Sequence, residues 1–355
     1  MQNDITNILN KAKNIIIVPK KDDKDSFFAS LPFLNIFFEL KKNVNLLSNE
    51  PTENYSLFLK SYTPKFYSKI KIYIKDVDNL QIFYEKRENL NILFLQNGQN
   101  LLLKNIETIS TEDTDFIISI GNLSLTELET ILKEHNIIIN QKPLILNIDN
   151  KILNENFGDI NYVDINSSSI CELVFDILYK RFPSALNSEN ANALLSGIII
   201  NTKSFQVKKF GPTTLKKFIF LKKNTDFNKI LDLFFKNKIN KKSILFRILN
   251  NIDFIEEKDI FVAEIIPEYI ESFSFKNEII KSLELITQNS ALSINFLLIL
   301  KQTIKEENVV ILYSHSKEII EKVKILFNGK QKNNWVLFNT KEDSNLIKQE
   351  ILNIF

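Results

Sequence analysis

Three short stretches bring together residues able to do chemistry. The first is Asp22-Asp23-Lys24-Asp25, just beyond an apolar run. Two carboxylates spaced D-x-D at the end of a buried strand point into one crevice and can bridge divalent cations. The same run also reads as a solvated charged turn. The second is Asp149-Asn150-Lys151, followed by Asn154 and Phe157-Gly158. Asp149 closes another apolar run, which suits its carboxylate to metal ligation or helix capping, and Lys151 could neutralise a phosphate. The third runs from Gly197 to Phe205, where Asn201 is a neutral amide able to orient a phosphate oxygen or cap a turn.

Other chemistries find less support. The chain has two His. His135 falls late in a predicted helix, where a C-terminal charge accounts for it. His315 stands alone after a predicted strand and is a candidate ligand contact. No Walker A or G-x-G-x-x-G phosphate loop is present. The single cysteine, Cys171, has apolar neighbours at helical spacing, so it reads as core rather than nucleophile, and it excludes an intrachain disulfide. Trp335, near Lys330, Lys332 and Asn333, could stack a base or serve as a half-buried anchor.

The elements that would position these residues are α/β in character. Asn14 to Val18 is a short β-branched run of the kind buried on both faces in a parallel sheet. A helix from Ser26 to Leu40 and a strand from Asn43 to Leu47 complete a βαβ unit, and a further helix is predicted over residues 2–13. Ile70 to Ile109 alternates, and strands around 81–84 and 92–95 flank a charged turn at 85–91, which predicts inserted antiparallel hairpins. Buried strands return at 116–120 and 144–148, with a helix at 126–135 between them. Helices follow at 168–182, 190–200, 213–223 and 227–235. Past a polar break at 236–242, strands (260–265, 296–300, 309–314, 336–338) alternate with helices (276–287, 316–327, 343–354).

Taken in order, the motifs resemble the DHH/DHHA1 phosphoesterases, in the branch of bifunctional oligoribonuclease/PAP phosphatases. The resemblance rests on the strand followed by Asp23-x-Asp25, on Asn147-Ile148-Asp149 with Asn154 and Phe157-Gly158, and on Asn161-Tyr162-Val163-Asp164. It continues through Ser167-Ser168-Ser169 with Glu172, Gly197-Ile198 with Thr202 and Phe205, and the Thr214-Leu215-Lys216 helix ending near Asp226. It covers residues 14–235 and is looser beyond, where Asn295 to Ser316 is similar to the strand pair opening a DHHA1 domain. Such a resemblance implies hydrolysis of short RNA or nucleotide phosphates by two Mn²⁺ or Mg²⁺ ions held by His and Asp.

The resemblance fails at the ligands themselves. Pro19 stands where the family's first metal-binding His is expected, and Gly121 where a bridging Asp ends the strand. The Asp-His-His triplet is Asp149-Asn150-Lys151, and Asn201 replaces an Asp. In the C-terminal part, Ser314-His315-Ser316 stands for an Arg-Ser segment, and Asn328-Gly329-Lys330-Gln331 for a Gly-Gly-Gly-His loop. Asp23, Asp25 and Asp149 thus form a vestigial metal set. Lys151, Asn150, Asn201, His315 and Lys330 are the candidates for a phosphate-binding cleft.

The expectations are these. The fold is α/β, with a DHH-like domain over 1–235 carrying a hairpin insertion at about 66–112, a connector at 236–257, and a smaller DHHA1-like domain at 258–355. The function implied is a catalytically weak or inactive member of the family, retained to bind a nucleotide, short nucleic acid or protein partner in the interdomain cleft. The alternative is an active metal-dependent phosphoesterase with altered ligands. The cofactor expectation is none, or one weakly bound Mg²⁺ or Mn²⁺, and a homodimer is allowed. Forty-five basic residues against 43 acidic ones exclude a dedicated nucleic-acid coat. No apolar run reaches the length of a membrane span, and the N-terminus lacks a secretory pattern, so the expected compartment is the cytoplasm.

Overall fold

Three β-branched residues stand in a row near the start of the described residues, Ile15-Ile16-Ile17, and all three are fully buried. In the computed structural model they belong to β1 (Asn14–Pro19). The structure describes residues 11–48, 58, 69–72, 81–87, 90–96, 106–112, 114–135, 137–139, 142–202, 211–235, 244–266, 279, 281–282, 284, 295–301 and 307–355. The helix predicted over 2–13 falls almost wholly outside them, as does most of that predicted over 276–287.

The first half contains α1 (Lys24–Glu39), β2 (Asn43–Leu46), β3 (Lys69–Ile72), β4 (Gln81–Arg87), β5 (Leu90–Gln96), β6 (Ile106–Glu112) and β7 (Phe116–Ile120). It continues through α2 (Leu125–Glu134), β8 (Ile137–Ile139), β9 (Leu144–Asp149), β10 (Ile160–Val163), α3 (Ile170–Arg181), α4 (Ser188–Asn201), α5 (Pro212–Lys222) and α6 (Phe227–Phe235). Five strands form a parallel sheet in the order β10-β9-β7-β1-β2. The predicted strands at 15–18, 116–120 and 144–148 are therefore neighbours. Alternate residues of β1 serve opposite faces. Ile15 and Ile17 join the cluster containing α1, α3 and α4, while Ile16 and Val18 meet Leu128, Ile131 and Leu132 of α2. Because α1 is covered on nearly all sides, it is apolar all round, burying Phe27, Phe28, Leu31, Phe33, Leu34, Ile36 and Phe37.

Within the predicted insertion, β4 and β5 form an antiparallel hairpin and β3 pairs antiparallel with β6. The hairpin turn is tighter than the sequence predicts, since Glu85–Arg87 and Leu90–Asn91 are already paired. β6 also pairs parallel with β8, which follows α2.

The second half holds α7 (Ile244–Asn251), β11 (Ile252–Ile255), β12 (Ile260–Ile265), β13 (Asn295–Lys301), β14 (Asn308–Tyr313), α8 (Lys317–Leu326), β15 (Lys330–Lys332), β16 (Trp335–Thr340) and α9 (Ser344–Ile354). Its six-stranded sheet runs β11-β12-β13-β14-β16-β15, antiparallel except for β12–β13. Residues 244–255, left in the connector by sequence, form α7 and the edge strand β11. One sheet face packs under α8 and α9. The other shares a single buried apolar cluster with the N-terminal helices, including Phe218, Phe261 and Phe296. Three lysines of the α5 region reach across. Lys222 donates to the carbonyls of Leu249, Asn250 and Ile252, capping α7 at its C-terminal end. Lys216 pairs with Asp259 and lies over the Phe254 ring, and Lys223 pairs with Asp253. Among the described residues no helix is long and apolar enough to cross a membrane.

Candidate functional site

In an open parallel sheet, ligands bind beyond the carboxyl ends of the strands, where the winding reverses. Here that point lies between β1 and β7, so the crevice is bounded by Pro19-Lys20, Gly121-Asn122 and, one strand further, Asp149-Asn150. The parallel ladder continues to the crevice floor, with Lys20 N donating to Ile120 O and Gly121 N to Ile148 O, each at 2.8 Å.

Asp23 is the N-cap of α1. Its carboxylate accepts from the Asp25 amide at 3.2 Å and from the Ser26 hydroxyl. Asp25 points the other way, into the protein. It is 3% exposed, and its two oxygens accept from the amides of Ile170 (2.7 Å) and Cys171 (3.3 Å). With Ser169 accepting from Glu172 N, all three leading amides of α3 are satisfied within the chain. Burial, helped by the Asp23 charge, pushes the Asp25 carboxyl up to about 7 against the pull of those amides. The α4 backbone closes over this pair at Gly197, where a Cβ would lie 2.1 Å from Cys171 Sγ and 3.1 Å from Asp25 Oδ1. Cys171 is fully buried and its thiol is pushed well up by burial, as its core assignment requires.

Asp149 ends β9 fully buried. Its oxygens accept from Asn150 N (2.7 Å) and Asn154 Nδ2 (2.9 Å), and burial raises its carboxyl above the usual range. Asn154 is the hub of an amide network that also takes in Asn122 O and both polar atoms of the Asn147 side chain. Asn150 donates to Ser167 O and Asn201 to Ser168 O. Lys151 is exposed beside Asp149, whose carboxyl its charge lowers. Asn122 and Asn150 each bury a side-chain oxygen with no hydrogen-bond partner among the described residues.

Behind the crevice, Glu172 is 2% exposed. It accepts from Ser168 and Thr214 and pairs with Lys217 at 3.7 Å, while Lys217 also reaches Asp176 at 2.7 Å. This network ties α3 to α5. Sequence reasoning names Glu172, Asn154 and Thr214 only as parts of motifs, gives Asn122 no role, and misses Lys217. Apart from the Asn122 bond to nearby Ser119, the partners of Asn122, Thr214 and Lys217 lie 32 to 104 residues away in sequence, so local spacing gives little sign of them.

The residues present do not fit a two-metal centre. Asp25 and Asp149 spend both oxygens on internal donors, and Lys151 adds charge of the wrong sign. Where a bridging carboxylate would end β7, a Cβ on Gly121 would lie 2.2 Å from Ser26 Oγ. Among the described residues no group of three His, Cys, Asp or Glu side chains is arranged to hold a metal ion. The orphaned oxygens of Asn122 and Asn150, flanking Asp149, are the acceptors left over for a water or a single hard cation.

A pocket of about 210 Å³ opens beside this crevice, lined by Pro19, Asp23, Phe27, Leu47, Glu134 and His135 among others. Lys20 and Lys21 on its wall are paired with Glu127 and Glu134. The remaining candidates stand on the second sheet. His315 is exposed and meets the Tyr313 hydroxyl at 3.2 Å, and Lys330 is exposed on β15. Among the described residues neither bonds to Asp23, Asp25 or Asp149.

No family model and no curated protein matches the chain. Among solved structures, an exopolyphosphatase-related protein from Bacteroides fragilis is similar at 15% identity and a TM-score of 0.43, over 98% of this chain and 94% of that one. A Methanococcus jannaschii protein described as a family II inorganic pyrophosphatase aligns at 14% identity and 0.36, over 96% and 98%. The exonuclease RecJ bound to manganese aligns at 10% and 0.30, over 98% and 92%. Likenesses this loose carry no argument about substrate, metal or mechanism, and the α/β fold class rests on the strand order itself.

Proposed function

We propose that this chain is a non-hydrolysing relative of the DHH/DHHA1 phosphoesterases, retained to bind a nucleotide or short nucleic acid between its two sheets. The observation that carries the reading is the engagement of Asp25. A carboxylate that should face a metal instead caps α3 through two amides. Together with the Ser26 hydroxyl under Gly121, this turns ligand positions into internal structure. Hydrolysis by the two-metal route needs cations at both the attacking and the leaving oxygen. A carboxyl held near 7 and a strand end without a bridging group support neither.

The test is calorimetry with Mn²⁺ on the purified full chain, together with turnover assays on short RNA and 3′-phosphoadenosine 5′-phosphate. At most one weak ion, taken up at the Asn122 and Asn150 oxygens, and no turnover are expected. Turnover with Mn²⁺ that Asp149→Ala abolishes would replace this reading with an active phosphoesterase of altered ligation.

A further inference from the structure

The tip of a tight turn is ordinarily built from Gly, Pro, Asn, Asp or Ser, which suit the backbone there and solvate well. The turn after β9 carries two aliphatics instead. Asn154 N donates to Lys151 O at 3.2 Å, so Ile152 and Leu153 form the tip. They are 79% and 73% exposed, and Ile152 is the most exposed large apolar side chain among the described residues. Apolar side chains scattered singly over a surface need no explanation, whereas adjoining ones mark a contact face.

The neighbouring loops extend the patch. Glu155 N donates to Leu123 O at 2.9 Å, which sets the tip beside the start of α2, where Leu125 is 41% exposed. On the other side Asn150 Nδ2 donates to Ser167 O and Asp164 N to Asp149 O, tying in the loop that carries Ile165, 45% exposed. These aliphatics crown the carboxyl ends of β7, β9 and β10. The base beneath them is firm. The buried Asn154 amide donates to Asn122 O and to the Asp149 carboxylate, and its oxygen accepts from Asn156 N. A tip held this way has little freedom left to lose on association.

Charge decides what the patch fits. Lys151 and Glu155 flank the aliphatic pair, both exposed, and neither joins an ion pair among the described residues. An apolar centre between opposite charges complements itself. A two-fold axis through Ile152 and Leu153 sets Lys151 of each copy against Glu155 of the other. A uniformly anionic partner would instead meet Glu155 and the exposed Asp164.

We propose that turn 151–155 is the centre of an isologous contact through which two copies of this chain associate, with the carboxyl ends of their strands facing. The proposal goes beyond the nucleotide-binding reading and does not depend on it. With few aliphatics at its centre, the contact belongs with small, reversible interfaces, so the dimer should dissociate on dilution.

Sedimentation velocity of the full chain over a range of concentrations is expected to show monomer and dimer in exchange. The Ile152→Ser/Leu153→Ser double variant should weaken the dimer about tenfold or more, with circular dichroism unaltered because both side chains are exposed. Lys151→Glu and Glu155→Lys should each weaken it too. An equimolar mixture of those two variants should associate as well as the native chain, since every facing pair is then of opposite sign. If Lys151→Glu fails to fold beside the buried Asp149, Glu155→Lys and the double serine variant decide the case. A chain that stays monomeric, a dimer indifferent to the serine variant or to Glu155→Lys, or a mixture no tighter than its components overturns the proposal. Each of those results leaves the non-hydrolysing reading standing.

Discussion

Ser26 fills the space that a side chain at Gly121 would need: a Cβ built on Gly121 would lie 2.2 Å from Ser26 Oγ, and 3.1 Å from Ile170 Cδ1. The Gly121 backbone has φ +78°, a left-handed conformation that β-carbon-bearing residues adopt at a cost. The first turn of α1, the end of β7 and the start of α3 therefore meet at one glycine.

Gly121→Asp, which restores a strand-end carboxylate, should destabilise the protein by about 2–4 kcal/mol, adding steric conflict to left-handed strain. Adding Ser26→Ala should recover part of that loss by removing the nearest atom. Urea denaturation of the single and double variants measures both. Equal stability of Gly121→Asp and the wild type would show that the three elements separate more easily than their contacts indicate.

Asn154→Ala should cost about 2–4 kcal/mol, because it strands the buried Asp149 oxygen, Asn122 O and the Asn147 amide together. Asn154→Asp should be worse at pH 8 than at pH 5, since a second carboxylate then ionises against Asp149. Chemical denaturation at the two pH values tests the pair, and a loss below about 0.5 kcal/mol for Asn154→Ala, typical of surface changes, would refute the hub.

The Asp25 carboxyl is held at about 7 in the folded protein against an ordinary 3.8. Between those values the folded state binds more protons than the unfolded one, so stability falls as pH rises from about 4 to about 7 and levels off above. Asp149 and Glu172 are displaced in the same direction by burial and add to the fall. Asp25→Asn cannot titrate there, so its stability should decline less over that window. Denaturation midpoints at half-unit pH steps give the comparison, and parallel curves would remove Asp25 from the account.

The parallel core was legible because runs such as Ile15-Ile16-Ile17 and Phe116-Ile117-Ile118 have one physical use, burial on both faces. The carboxylates at strand and helix ends were legible as positions but not as partners. Whether Asp25 meets a cation or a helix N-terminus depends on α3, some 145 residues away in sequence. Gly121 showed a missing ligand, while Ser26, which fills the gap, carries no mark of that role in its own segment. α7 and β11 were hidden for a different reason. They follow a lysine- and asparagine-rich stretch that reads as a break, and β11 is a four-residue edge strand whose Asp253 faces solvent.

The apolar cluster common to both sheets gives the chain a single thermodynamic identity. Phe261 and Phe296 share their buried cluster with Phe218 of α5 as well as with Ile248 and Leu249 of α7, and the Lys222 ammonium reaches the end of α7 only while α5 is formed. Loss of structure in either half would uncover apolar side chains of the other. Heating is therefore expected to melt both halves in one transition, and calorimetry of the full chain checks it, two resolved transitions showing that the shared cluster does not couple them.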